Sequence, residues 1–136
     1  MAYTATPTVE HLAGGDGERK FRVTIAETDC GASSEASFTL PVAGSIRPVR
    51  IAQMYRVQSV KSSGSATTVQ PRLGSAAAAT GVQVQYLATA AASVDDQPAA
   101  PVVIYGTAGG VFYHRSQPDT GSDNAITTVY IIEEGL

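Results

Sequence analysis

The sequence contains few charged residues, few aromatic residues and no tryptophan. Charged residues make up 15% and aromatic residues 7% of its 136 residues, whereas an average soluble domain has about 25% charged residues. This charge content argues against a charge-rich disordered chain and against a coiled coil. The scarcity of aromatic side chains disfavours a sugar-binding platform or a base-stacking surface.

Cysteine and histidine are almost absent. Cys30 is the single cysteine, so it cannot form a disulfide within the chain or complete a metal-ligand pair with another cysteine. His11 and His114 are the only imidazoles, and we expect His114 to lie solvated on the surface of a short strand. An enzyme hypothesis would require His114 to converge in the fold with Asp or Cys side chains. We therefore predict a protein with no catalytic residues, no cofactor and no small-molecule substrate.

Long apolar runs and clusters of basic residues are also missing. No stretch approaches the roughly 18 apolar residues of a membrane span, and residues 1–17 contain neither Lys nor Arg nor a signal-peptide-like apolar run. The net charge is −3, and the nine basic residues are spread along the chain. We expect the chain to be made and folded in a cytoplasm and to bind neither membranes nor nucleic acid.

What the sequence does contain is alternation of apolar and polar residues, the pattern of half-buried β-strands. Phe21, Val23 and Ile25 follow it, and the ITTVYII run near the carboxyl end indicates a strand buried on both faces. About eight strands are predicted by this pattern. They cover residues 21–25, 36–40, 46–62 with a bulge near Gln53-Met54, 67–73, 82–86, 102–105, 111–115 and 125–133.

Turn-forming residues separate these strands. Glu27–Ser34 is a polar stretch that we interpret as a turn. Ser62–Ser65 predicts a hairpin between 46–62 and 67–73, and Thr107–Gly110 predicts a second one between 102–105 and 111–115. Residues 74–81 form a connector that could contain one helical turn, and 88–101 is interpreted as a linker.

These elements predict a single-domain, antiparallel β-sandwich with a jelly-roll-like arrangement. Residues 1–18 are predicted to form an extended amino-terminal arm, because they are rich in Thr, Pro and Gly, and residues 19–136 form the sandwich domain. Deleting Met1–Gly17 is therefore expected to leave the fold intact and to weaken assembly. The competing all-β interpretation is an OB-like or SH3-like barrel, which usually needs fewer strands.

The distribution of charge along the chain is uneven. Residues 36–94 contain five basic residues and no Asp or Glu. In a folded sandwich this would produce a basic face that meets an acidic partner or another copy. The alternative is that these long side chains only solvate the outer face of a hairpin. The basic-face interpretation predicts an assembly interface at Arg47, Arg50, Arg56 and Arg72, and salt-sensitive loss of association on charge reversal at Arg50 and Arg56.

Asp119–Asn124 carries oxygen-bearing side chains that could wrap a calcium ion. The segment lacks the closing Glu of an EF-hand loop, and an ordinary Asx-rich turn explains it better. We predict the turn and no metal site.

Two blocks of the sequence, LPVAGSIRPVRIAQMYRVQSVKSSGSATTVQPRLGS and SQPDTGSDNAITTVYIIEEGL, occur in a chain rich in Ala, Gly, Thr and Ser. Together they resemble the small virion proteins of tailed bacteriophages, most closely the capsid decoration, or cement, proteins. The resemblance concerns composition and block order over roughly residues 20–136, and it rests on no catalytic motif.

The resemblance implies a β-sandwich that is added to the outside of an assembled head. The implied partners are the major capsid protein and copies of the chain itself, as a trimer or dimer at symmetry positions. The implied location is the head surface of the virion. The alternatives are a neck, tail or fibre-associated subunit, and a module that binds a cell-surface glycan with calcium at Asp119–Asn124.

Overall fold

The structure is a computed structural model, and it describes residues 2–12, 18–40, 49–74, 84–107 and 110–135. All regular secondary structure in these ranges is β-strand, which confirms the predicted all-β class for this part of the chain. The strands are β1 (Thr4–Leu12), β2 (Glu18–Cys30), β3 (Ala36–Thr39), β4 (Val49–Ser63), β5 (Arg72–Gly74), β6 (Val84–Leu87), β7 (Ser93–Asp96), β8 (Val102–Thr107), β9 (Val111–Arg115) and β10 (Asn124–Gly135).

The strands form two antiparallel sheets. The six-stranded sheet has the order β1-β2-β10-β4-β7, and β8 pairs with the first part of β4. The four-stranded sheet has the order β3-β9-β5-β6. The long strands β10 and β4 are each paired on both sides, β4 with β10 on one side and with β7 and β8 on the other, and β1 lies at the edge of the sheet.

Both sheets contribute to one hydrophobic core. Alternate residues point into it, as along β9, where Phe112 and His114 are buried and their neighbours are half-buried. The Phe38 ring lies 5.6 Å from that of Phe112 and 6.4 Å from that of Tyr130 on the other sheet, measured between centroids. The largest fully buried apolar side chains are Phe21, Ile25, Leu40, Met54, Leu73, Ile104, Phe112, Ile126, Tyr130 and Ile132.

The long predicted strand is present as β4, although residues 46–48 lie outside the described ranges. Its register against β10 shifts by one residue, because Arg56 is opposite Ile131 and Met54 is opposite Ile132. Tyr55 is therefore the extra residue of a β-bulge, next to the predicted position.

The predicted hairpin at Ser62–Ser65 is wrong. Gly64 does have the positive φ of a tight turn, 113°, but the chain then leaves its sheet. The crossing segment buries Ala66 and Val69, and β5 pairs with β6 and β9 in the four-stranded sheet. The turn thus connects two sheets and not two paired strands.

The second predicted hairpin, between β8 and β9, is also wrong. β8 pairs with β4, and β9 pairs with β3 and β5. A turn signal indicates that the chain changes direction, but it contains no information about which sheet the next strand joins.

Two segments that the sequence did not predict as strands are paired. Most of the predicted arm forms β1, which pairs with β2 along its whole length, while Tyr3, Ala5 and Val9 pack against the core. Part of the predicted linker forms β7, whose Val94 is buried. The connector residues 75–81 lie outside the described ranges.

Two further expectations need correction. β10 is buried mainly on one face, because Tyr130 and Ile132 are buried while Thr127 is exposed and Val129 half-buried. The predicted turn at 27–34 begins later, because β2 continues through Glu27 to Cys30.

Candidate functional site

His114 lies in the interior, and the expectation of a solvated histidine is wrong. Its imidazole is fully buried, because its position on β9 is in phase with the inward-facing Phe112. The Nε2 atom is 3.0 Å from Oε1 of Glu27, and the Nδ1 atom is 2.5 Å from the hydroxyl of Tyr130. A buried acid and a buried base thus meet between the two sheets.

Glu27 is the centre of this cluster. It is in phase with Val23 and Ile25 on β2, so its side chain points into the core, where it is fully buried. Four side chains hydrogen-bond to its carboxylate. They are His114, Ser116, Tyr3 with its hydroxyl 2.6 Å from Oε2, and Cys30 with its sulfur 3.5 Å from the same oxygen. With Tyr130, these residues are named the Glu27 cluster below.

The donors determine the charge state of the Glu27 carboxyl. Burial alone would raise its pKa, but the hydrogen bond and charge of His114, with hydrogen bonds from Ser116 and Tyr3, outweigh burial and lower the pKa below its usual value. Burial and the nearby carboxylate raise the pKa of the Cys30 thiol to about 12. Cys30 is therefore a protonated donor and not a nucleophilic thiolate.

The Glu27 cluster brings together Ser, His and Glu, but not in a catalytic order. In a nucleophile–base–acid relay, the acid and the nucleophile contact opposite nitrogens of the imidazole. Here Glu27 and Ser116 both lie 3.0 Å from Nε2, and Nδ1 faces Tyr130. All three triad-like side chains are buried. His114 thus converges with Glu27 and Ser116, and not with an Asp or directly with Cys30, and these contacts join the two sheets.

Asp119–Asn124 is a second polar cluster, and its oxygens bind the segment that follows β4. Asp119 accepts hydrogen bonds from the backbone N–H groups of Thr67 and Thr68, and Asp123 accepts one from Ser65. Asn124 accepts from the N–H of Ala66. The oxygens that the calcium hypothesis needs are thus engaged in a clasp between two loops.

The Asn124 amide fixes this clasp to the core. Its Nδ2 group donates to the carbonyl oxygens of Cys30 and Thr120, at 2.9 and 3.0 Å. In the described ranges, no group of three or more His, Cys, Asp or Glu side chains is placed to hold a metal ion.

The structure places the four predicted interface arginines in different surroundings. Arg47 lies outside the described residues, and of Arg50 only the backbone, opposite Gly106, is described. Arg56 on the six-stranded sheet forms two hydrogen bonds with Asp95, at 3.0 and 2.8 Å. Arg72 lies on the four-stranded sheet.

Arg56 and Arg72 are therefore not parts of one basic face. The bulge at Tyr55 also interrupts the alternation along β4, since Met54 is buried before it and Val57 after it. The carboxylate of Asp95 neutralises the charge of Arg56 locally. The hydrogen bonds from the Arg56 guanidinium lower the pKa of the Asp95 carboxyl.

Sequence reasoning missed Glu27 and assigned His114 to the wrong environment. One signal could have found both. Glu27 continues the inward series of Phe21, Val23 and Ile25. His114 lies two positions after Phe112 and therefore points to the same, inward side of its strand. An acid and a base in inward positions of separate strands indicate a buried pair, because an unpaired buried charge is too costly.

A shallow depression of about 520 Å³ lies beside Tyr3. Small and polar residues line it, and its one acidic side chain is Asp29. Such a lining offers hydrogen bonds but no cluster of reactive groups.

Among the described residues, no helix could span a membrane. No protein-family model matches the chain, and no curated protein shows significant sequence similarity to it.

Proposed function

We propose that the protein is a structural component of a tailed-phage virion, a decoration protein that binds the outer surface of the head and stabilises contacts between major capsid subunits. The proposed arrangement is a β-sandwich, with the six- and four-stranded sheets as its two layers, in a jelly-roll-like form. The amino-terminal segment contributes an edge strand to this body.

One observation carries the proposal. Four described side chains with reactive chemistry, His114, Glu27, Cys30 and Ser116, are buried and form one hydrogen-bonded network between the two sheets. These side chains hold the two sheets together, and we infer that the protein acts through its outer surfaces. This is what a cement protein needs, since it acts by many modest contacts repeated by symmetry.

The long paired strands support the same proposal. β4 and β10 pair side by side over most of their length, and central strands of this kind are the regions that open least readily by local unfolding. A protein that stabilises a head against internal pressure requires such stiffness.

A glycan-binding function receives less support. Its proposed calcium ligands at Asp119–Asn124 hold the 65–68 segment through backbone N–H groups. A neck, tail or fibre-associated role would use the same fold, and the experiment below separates it from a head role.

The test is co-sedimentation with expanded heads of the encoding phage, assembled without this chain, together with the solution mass by light scattering. We expect saturable binding with a fixed number of copies per head, unchanged by a calcium chelator. A stable oligomer that does not bind heads would overturn the decoration role and favour a neck, tail or fibre position. Binding that depends on calcium and on a saccharide would favour the glycan module.

A further inference from the structure

A row of four side chains crosses the outer face of the four-stranded sheet. Arg72 on β5 is directly opposite Leu87 on β6 and Arg115 on β9. Residues that are opposite in an antiparallel pair point to the same side of the sheet. Their sequence neighbours Leu73 and His114 are buried, so this row faces outward. Glu35, just before β3, completes it through an ion pair with Arg115.

The two arginines have few partners within the described residues. Nη1 of Arg72 donates to Oε1 of Gln117 at 3.0 Å. Nε of Arg115 lies 3.5 Å from Oε2 of Glu35. The Nε atoms of both arginines are buried, and neither forms a hydrogen bond with any described residue.

This arrangement is unfavourable in the isolated chain. Like charges directly opposite in a sheet repel each other, and buried donors without an acceptor cost stability. Among the described residues, two guanidinium groups of the row face a single carboxylate, that of Glu35. Arg56, by contrast, has a carboxylate of its own in Asp95.

We propose that this face, centred on Arg72 and Arg115, is a docking site for an extended acidic segment of a partner protein. The guanidinium fork matches a carboxylate with two parallel hydrogen bonds, which an ammonium group cannot do. The inference rests on the proposed function for the identity of the partner, an acidic segment on the head surface.

The surroundings of the row indicate a peptide and not a free anion. Leu87 is 50% exposed, although it stands next to Arg72 in the sheet. Tyr113, two residues before Arg115 on β9, is half-buried on the same face. A strand that alternates acidic and apolar side chains would pair its carboxylates with the arginines and cover Leu87.

The direct test uses a blocked synthetic peptide of alternating Asp and Val, with an Asn and Val peptide as its control. Binding is followed through the Arg Nε–H resonances in NMR spectra. We expect saturable binding of the Asp peptide only, weaker at higher salt. R72Q should lower the affinity about tenfold or more, and R72K should recover only part of it, because Lys lacks the fork. R56Q removes the same charge on the other sheet and should bind as the wild type does.

Three results would contradict the proposal. They are no binding of the Asp peptide, an equal loss with R56Q and R72Q, and complete displacement of the peptide by inorganic phosphate at matched ionic strength. Thermal unfolding of each variant verifies that the fold is retained, and R72K preserves the charge if R72Q does not fold.

Binding of the wild type and R72Q to heads distinguishes a failure of the docking site from a failure of the decoration role. If the wild type and R72Q bind heads equally well, the decoration role stands and the docking site is wrong. If the wild type ignores heads but binds the Asp peptide through Arg72, the docking chemistry stands and the decoration role is wrong.

Discussion

At the scale of single residues, the main finding is a carboxylate whose surroundings, and not its exposure to water, keep it charged. Glu27 is buried with His114, and each is bonded to further polar side chains. Pairs of this kind do not necessarily add stability compared with an apolar core, but breaking one is costly. They also permit one arrangement of the two sheets, because a shift would leave a buried charge without partners.

Replacing Glu27 with Ala should therefore lower the free energy of unfolding by about 3–5 kcal/mol. The matched control is Glu10→Ala, which removes an exposed carboxylate paired with Arg22 and should cost less than about 1 kcal/mol. Urea unfolding measures both. Equal effects would show that the Glu27 cluster does not brace the fold.

The same residue predicts a pH dependence. The pKa of Glu27 in the fold is below its ordinary value of 4.5, so the unfolded chain binds the proton more readily. Its contribution to stability is thus fully present above about pH 4.5 and is lost as the pH falls through the lower, folded pKa. Glu27→Gln should flatten this acid limb in thermal unfolding measured against pH.

Asp95, Asp119 and Asp123 also have lowered pKa values and remain in both proteins. The difference between wild type and Glu27→Gln therefore isolates Glu27. Parallel acid limbs would contradict this assignment.

At the scale of elements, the alternation of apolar and polar residues predicted where the strands lie. The turn-forming residues did not predict which strands pair with one another. Phe38 and Phe112 lie on strands whose inward positions were readable from the sequence, because period-2 burial is a local property. Which sheet a strand joins depends on residues far away in the sequence. The turn at Gly64 resembles that of a hairpin, but the chain after it crosses to the other sheet. β1 was missed because only Ala5 and Val9 of this strand pack against the core, while Thr and Pro, which are typical of loops, make up much of the rest.

Glu27 shows the same limit for the candidate site. A charged residue after an apolar series indicates the end of a strand when only one strand is considered. Its true role depends on His114, which is 87 positions away in the sequence. The resemblance to decoration proteins and the arginine interface remain predictions.

Gly64 tests the clasp between the loops. A Cβ atom there would lie 2.4 Å from Oδ1 of Asn124, and the φ of 113° is unfavourable for any other residue. Gly64→Ala should cost about 2 kcal/mol or more. Gly31→Ala, whose Cβ would meet its nearest neighbour at 3.4 Å, is the control and should change stability by about 1 kcal/mol or less. Chemical unfolding compares the two, and similar losses would contradict the role of Gly64.

β1 changes the expectation for deletion of residues 1–17. This strand pairs with β2 from Thr4 to Leu12, and Tyr3 bonds to Glu27. Deletion should therefore lower the melting temperature by 10 °C or more, roughly, since it removes an edge strand and a donor of the buried cluster. Circular dichroism against temperature measures this. An unchanged midpoint would show that the segment is a dispensable arm.

At the scale of the whole molecule, the Glu27 cluster is buried between the sheets, whereas Arg56 with its partner Asp95 is exposed. The Glu27 cluster joins the sheets, the clasp fixes the crossing loop, and Arg72 and Arg115 lie opposite each other on the four-stranded sheet. The account predicts that the protein's effect appears in the stability of the assembly to which it binds.

The most direct measurement is the temperature at which packaged DNA leaves filled heads, determined with a DNA-binding dye with and without saturating protein. The account predicts release at a higher temperature when the protein is bound, with a smaller increase for R72Q and the full increase for R56Q. Saturated binding with no change in the release temperature would contradict the claim that this protein stabilises the head.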